Sequence, residues 1–186
     1  MLRAGFADEP GALQGFDLGS DGENAHVVGV PACGSRQRSA GTRADERDHF
    51  LVVDGRKLHK HAIDRMVASC RKALDRTGWE LSDVDLLVPH QANARITGGV
   101  VAGLGIPVER GFSDIDRMGN TAVASVPIAL ADAVQADVLR PGHRTLVTAF
   151  GAGLSWGSAT FTWLDITPQH NLPVLPQPIQ FHPIRH

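Results

Sequence analysis

The stretch Val88-Pro89-His90-Gln91-Ala92-Asn93 decides how the rest of this 186-residue chain is read. An apolar run, Val84 to Val88, leads into it and reads as a short buried strand. Pro89 has no N–H to give to a ladder, so it marks a strand edge or end. His90 therefore falls at a strand-to-helix junction. In open α/β sheets, ligands and catalytic groups gather at the carboxyl ends of strands. Two similar punctuations follow. Asn120 sits in Arg117-Met118-Gly119-Asn120-Thr121-Ala122, ahead of a helical stretch, and Phe150-Gly151-Ala152-Gly153 follows an apolar strand. A site assembled from loops at the end of a sheet is the natural reading.

Working outward, the periodicity predicts a helix over Leu58 to Arg76. Ile63, Met66, Val67, Cys70 and Leu74 recur at three- and four-residue steps, and Gly78 stops it. A second helix is expected over Ala92 to Leu104, weakened at Gly98 and Gly99 by roughly 1 kcal/mol each relative to alanine. A third is expected over Ala122 to Val138, with Val126, Leu130, Ala133 and Val134 inward and Pro127 in its first turn or at a kink. Strands are read at Phe50 to Val53, Val84 to Val88, Val108 to Phe112, Arg144 to Phe150 and Trp156 to Leu164. The order from residue 50 is β-α-β-α-β-α-β-β. It predicts an α/β fold with a mixed, mostly parallel sheet flanked by helices and ending in a hairpin. Before it, Gly15 to Gly22 looks like a strand entering a turn, Val27 to Val30 like another strand, and Ser35 to Asp48 like a charged surface loop.

Composition narrows the function. Hydrophobic residues make up 42%, enough for a real core, and the net charge of −2 gives no electrostatic case for nucleic acid or an anionic membrane. No apolar run reaches the ~18 residues of a bilayer span, and Met1 to Gly11 lacks a signal-peptide centre. Two cysteines, Cys33 and Cys70, make no disulfide framework and fit a reducing cytoplasm. His59-Lys60-His61 reads as a solvated helix face, since i and i+2 point apart, and no metal or cofactor is expected. Gly151-Ala152-Gly153 lacks the helix and Lys-Thr of a phosphate loop.

Taken together, Val-Pro-His90-Gln-Ala-Asn93-x-Arg95-Ile, then Asp116-Arg117-x-Gly-Asn120-Thr-x-x-Ala-Ser-Val-Pro127, then Ala-Phe150-Gly-x-Gly153-x-x-Trp156-Gly resembles the carboxyl-terminal half of β-ketoacyl-acyl-carrier-protein synthase III, a thiolase-fold condensing enzyme. The resemblance runs through residues 49 to 165. Asp8-Glu9-Pro10-Gly11 and Val30-Pro31-x-x-Gly34-Ser35-Arg36 are similar to the end of that family's amino-terminal half. The expected organisation is a remnant of that half with a surface loop (1–48), a carboxyl-terminal thiolase-like domain (49–166) and an extended tail (167–186).

The resemblance implies a Cys-His-Asn site. A cysteine takes an acyl group from acyl-CoA, malonyl on its carrier protein loses CO2, and the carbanion attacks the acyl-cysteine. Loss of CO2 beside a thioester puts negative charge on the thioester oxygen, which two aimed donors stabilise. His90 and Asn120 would be those donors. The backbone N–H near Ala152, where the family usually has glycine, would serve the oxyanion on the acyl-cysteine. Phe150 would wall the pocket. Lys60, Asn93 and Arg95 match positions that touch the CoA or carrier-protein arm, with Arg95 expected one helical turn from His90.

The family's cysteine lies farther ahead of its histidine than the 89 residues available here. Cys70 falls on an inward helix stripe and Cys33 in a loop. The expectation is half an enzyme, inactive alone, completed by an amino-terminal half or a partner chain and by homodimerisation. A fragment, a subunit and a decayed gene product all fit. Two rival readings share the scaffold: an acyltransferase acting on a hydroxyl or amine acceptor, and a non-catalytic module that docks a carrier protein through Arg95 and Lys60.

Overall fold

The computed structural model describes residues 4–6, 9–41 and 43–166. The tail expected over 167–186 lies outside them, as does Asp8. Strand β1 (Phe16–Ser20) comes first, followed by the two-residue strand β2 (Val28–Gly29) and the short helix α1 (Ser35–Ser39). Helix α1 lies in the stretch read as a surface loop and buries no residue. After β3 (Val52–Val53) comes the longest element, α2 (Gly55–Thr77). Its start is capped by Asp54, whose side chain accepts from Lys57 N–H, and its end by Gly78 at φ 75°. Then follow β4 (Leu86–Pro89), α3 (Ala94–Leu104), the one-turn α4 (Ile115–Met118), α5 (Ser125–Gln135), β5 (Arg144–Gly151) and β6 (Ser155–Thr162).

The main sheet has the order β1-β6-β5-β4. Only β4 and β5 run parallel; β5–β6 and β1–β6 are antiparallel. The sheet is mixed as expected, but its parallel share is smaller than the βα alternation suggested, for two reasons. Phe50 to Val53 does not enter it: Val52 and Val53 pair only with β2, and all four residues are exposed. Val108 to Phe112 is not a strand either. Pro107 opens a 3-10 turn closed by Arg110 N–H on the Pro107 carbonyl, so the run's backbone meets β4 through a single bridge, Gly111 beside Leu87, and the Phe112 N–H on the Leu87 carbonyl. Conversely, β1, from the opening stretch, is hydrogen-bonded along β6 from Phe16↔Ala159 to Ser20↔Ser155.

Alternation along β4 splits the core in two. Leu87 joins Met66, Cys70 and Leu74 of α2 and Ile96 and Val100 of α3. Leu86 and Val88 point the other way, onto Ala129 and Ala133 of α5. Helices therefore cover both faces. Helix α3 approaches α2 closely because two of its glycines face that helix: a Cβ at Gly99 would stand 2.3 Å from Ile63 Cδ1, and one at Gly103 2.9 Å from Val67 Cγ2. Gly98, by contrast, faces open space. Helix α5 starts at Ser125, later than the periodicity suggested, after a 3-10 turn over Ala122–Ala124, and Pro127 lies in its first turn.

Candidate active site

His90 is placed by the end of β4. Pro89 pairs with Thr148 of β5, and the ladder continues one residue beyond it through His90 N–H on the Thr148 carbonyl, 2.7 Å. The imidazole is half-buried. Burial alone holds its pKa below the ordinary 6.5, so the neutral ring is favoured. Its Nδ1 stands 2.5 Å from Ser125 Oγ at the start of α5.

Neighbouring Gln91 is fully buried and ties three segments together. Its Nε2 donates to the Pro89 carbonyl at 2.8 Å, its Oε1 accepts from Ser113 Oγ at 2.8 Å, and its backbone N–H donates to Ser125 Oγ at 3.3 Å. Sequence reasoning missed both Gln91 and Ser125. A glutamine between a strand and a helix gives no pattern, although Ser125 stands directly after Ala122-Val123-Ala124 in a quoted motif.

Asn120 lies on the loop between α4 and α5, which Arg117 fastens to α5 by an ion pair with Asp132 at 3.0 Å. Its Oδ1 accepts from Ala122 N–H at 3.0 Å, and its Nδ2 donates to the Ala92 carbonyl at 3.4 Å. The loop thus brings Asn120 to the backbone two residues beyond His90. A cavity of about 380 Å³ opens here, lined by His90, Ala122, Val123, Phe150, Gly151 and Trp156 among others. Asn120 is exposed beside it and does not line it. Ala152 does not line it either; it sits exposed in the β5–β6 turn, its carbonyl accepting from Ser155 Oγ. Phe150 does, with its side chain almost fully buried.

The rim residues have local partners of their own. Asn93 caps α3, its Oδ1 accepting from Ile96 N–H at 3.0 Å. This starts the helix at Ala94, so the segment from His90 to Asn93 is not helical and Arg95 is not one helical turn from His90. Lys60 pairs with Asp64, four residues on, in an exposed contact. The contacts Ile63–Gly99 and Val67–Gly103 advance together along α2 and α3, so the two helices run parallel in register. Lys60 and Arg95 consequently sit at the same end of the pair. Neither cysteine lines the cavity: Cys70 is buried in the core with its thiol pushed up to about 11, and Cys33 is exposed with Sγ 3.4 Å from His49 Nδ1.

A family model described as the 3-oxoacyl-(acyl-carrier-protein) synthase III C terminal matches residues 74–163, which hold His90, Asn120 and Phe150. By sequence and fold, the chain is similar to the carboxyl-terminal part of β-ketoacyl-acyl-carrier-protein synthase III proteins. A Streptomyces coelicolor member, β-ketoacyl-(acyl-carrier-protein) synthase III 5, is 46% identical over 167 residues, which is 90% of this chain and 50% of that one. The Pseudomonas aeruginosa synthase III is 45% identical over 168 residues. The crystal structure of a 3-oxoacyl-(acyl carrier protein) synthase III from Pseudomonas aeruginosa superposes with a TM-score of 0.77 at 43% identity, covering 89% of this chain and 49% of that one. A priming β-ketosynthase from a polyketide pathway gives 0.72 at 32% identity, covering 85% and 46%. The chain spans about half the length of the relatives it matches. The thiolase-like α/β fold of these synthase III structures is thereby shown for this chain.

Proposed function

We propose that this chain supplies the decarboxylating side of a β-ketoacyl-acyl-carrier-protein synthase III-type condensation. A malonyl thioester binds with its carbonyl oxygen toward His90 and Asn120. The bond from the α-carbon to the carboxylate breaks, CO2 leaves, and the electron pair moves onto the thioester oxygen. The two N–H groups stabilise that enolate. Its carbon then attacks an acyl-cysteine, whose sulfur leaves as thiolate. Phe150 keeps water from the enolate, and the Ala152 N–H serves the second oxyanion. Lys60, Asn93 and Arg95 meet the CoA or carrier-protein arm. The cysteine comes from an amino-terminal half, seated on the open apolar face formed by Phe16, Leu18 and Val123, in an assembly that dimerises.

One observation carries the reading. Both ends of the Asn120 amide are assigned by backbone partners: the oxygen accepts an N–H and the nitrogen reaches a carbonyl. The nitrogen is therefore on the side of the Ala92 carbonyl, two residues beyond His90, and its second hydrogen is available to an acceptor. A carboxylate at position 120 would repel both the Ala92 carbonyl and the enolate.

The test is complementation. The chain is mixed with the amino-terminal half of the Streptomyces coelicolor relative, and CO2 release from malonyl-CoA and condensation are measured. Restored activity that falls about 10²- to 10³-fold in His90→Ala and in Asn120→Asp is the expected result. Full activity in His90→Ala would remove the proposal. Intact mass after incubating the chain alone with acetyl-CoA should show no adduct; a stoichiometric acetyl group on Cys33 would place the nucleophile here instead.

A further inference from the structure

Resting on the donor role given to His90, we infer that Ser125 is a positioning residue that assigns the tautomer of the His90 imidazole, placing its proton on Nε2. The argument is an accounting of hydrogens. Ser125 lines the cavity wall but is only 2% exposed, so its hydroxyl has little access to bulk water and is satisfied by protein partners. A hydroxyl has one proton to give and two lone pairs. One lone pair is taken by Gln91 N–H at 3.3 Å, which can only donate. The remaining close partner is His90 Nδ1 at 2.5 Å. If Nδ1 carried the imidazole proton and donated it to Oγ, the serine would accept twice, and its own proton would be left without an acceptor among the described residues. A buried polar hydrogen without a partner is strongly disfavoured. With the serine donating to Nδ1, every group is satisfied. Nδ1 is then an acceptor, the neutral ring must carry its hydrogen on Nε2, and that N–H belongs to a ring lining the cavity.

The same contact fixes more than a proton. Ser125 is the first residue of α5, while His90 and Gln91 follow β4. One oxygen thus holds the strand end, the helix start and the ring orientation in a single arrangement. Loss of the hydroxyl would free the ring to adopt either tautomer, one of which turns a lone pair toward the enolate oxygen.

The experiment uses the 186-residue chain with 15N-labelled histidine. Long-range 15N–1H correlations at neutral pH report which ring nitrogen of His90 is protonated, with His90→Gln identifying the resonances. The expected pattern is a single Nε2–H tautomer in the wild type and a mixture of the two in Ser125→Ala. The wild-type spectrum needs no variant at Ser125 and no activity: an Nδ1–H tautomer there overturns the inference. An unchanged single Nε2–H tautomer in a folded Ser125→Ala chain, judged by its amide spectrum, overturns it as well. In the complemented assay, Ser125→Ala should lower kcat about tenfold with little change in KM. If His90→Ala is found to be fully active there, the donor role of His90 fails, while the tautomer assignment still stands or falls on the spectra.

Discussion

On the α2/α3 face of the sheet, Leu87, Leu146 and Leu154 are wholly removed from water. On the opposite face, helix α5 covers β4, but Phe16 and Leu18 of β1 stand 55% and 74% exposed. These two point away from α2, because Asp17 between them is buried toward it and pairs with Arg76. Val123, which lines the cavity together with Leu18, is 96% exposed. The same strands are thus closed on one side by the chain's own helices and open on the other, next to the candidate site. Burial of apolar surface supplies the main folding term, about 25 cal/mol per Å². The closed face accordingly holds the chain together, and the open face is the surface that the proposed amino-terminal half would cover.

The sharpest way to break that contrast is to truncate one leucine on each side. Leu87→Ala should cost about 2–5 kcal/mol in urea unfolding, since it empties a site packed by two helices. Leu18→Ala should change the stability of the chain alone by no more than about 0.5 kcal/mol. Leu18→Asp should leave folding equally untouched yet weaken complementation by an amino-terminal half. A loss above about 1 kcal/mol for Leu18→Ala would mean that this face is already covered in solution.

A pair of glycines sharpens the closed face further. Gly99→Ala drives a methyl into Ile63 and should cost about 1–3 kcal/mol as α2 and α3 separate. Gly98→Ala, one residue away and facing open space, should raise stability by up to about 1 kcal/mol. Equal effects from the two, measured as shifts in midpoint, would contradict the close packing of α2 on α3.

That pair also marks how far the sequence could be read. Helix α2 was legible almost to its ends, read over Leu58 to Arg76 and running Gly55–Thr77, because its inward stripe and the Gly78 that stops it are local signals; its first turn, set by the Asp54 cap, was missed. The β5–β6 hairpin was legible for the same reason. Gly98 and Gly99 look identical in the sequence and differ only through Ile63, a contact 36 positions away. Strand membership failed at Val108 to Phe112 and Phe50 to Val53, where apolar character was visible but the neighbour to pair with was not. In the site, His90, Asn120 and Phe150 could be picked out from the motifs that carry the family resemblance. Gln91 and Ser125 act by hydrogen bonds across α5 and β4, which no local pattern records.

The smallest expected effect concerns the loop that carries Asn120. Asp114, ahead of α4, is 1% exposed, and neither carboxylate oxygen meets a donor among the described residues. Burial, and then the nearby Asp132 carboxylate, raise its pKa above 3.8. A raised carboxyl pKa means that the folded chain binds the proton more tightly than the unfolded chain. At neutral pH the ionised group therefore works against folding. The penalty is relieved as pH falls through the raised folded value and is gone below the unfolded one. Asp114→Asn removes the charge and with it the repulsion from Asp132. It should stabilise the chain at pH 7 by about 1 kcal/mol, and the gain should vanish near pH 3.5. Denaturant midpoints of both chains across pH 3.5 to 7 measure it. A gain that stayed constant with pH would show that the Asp114 charge is not its source.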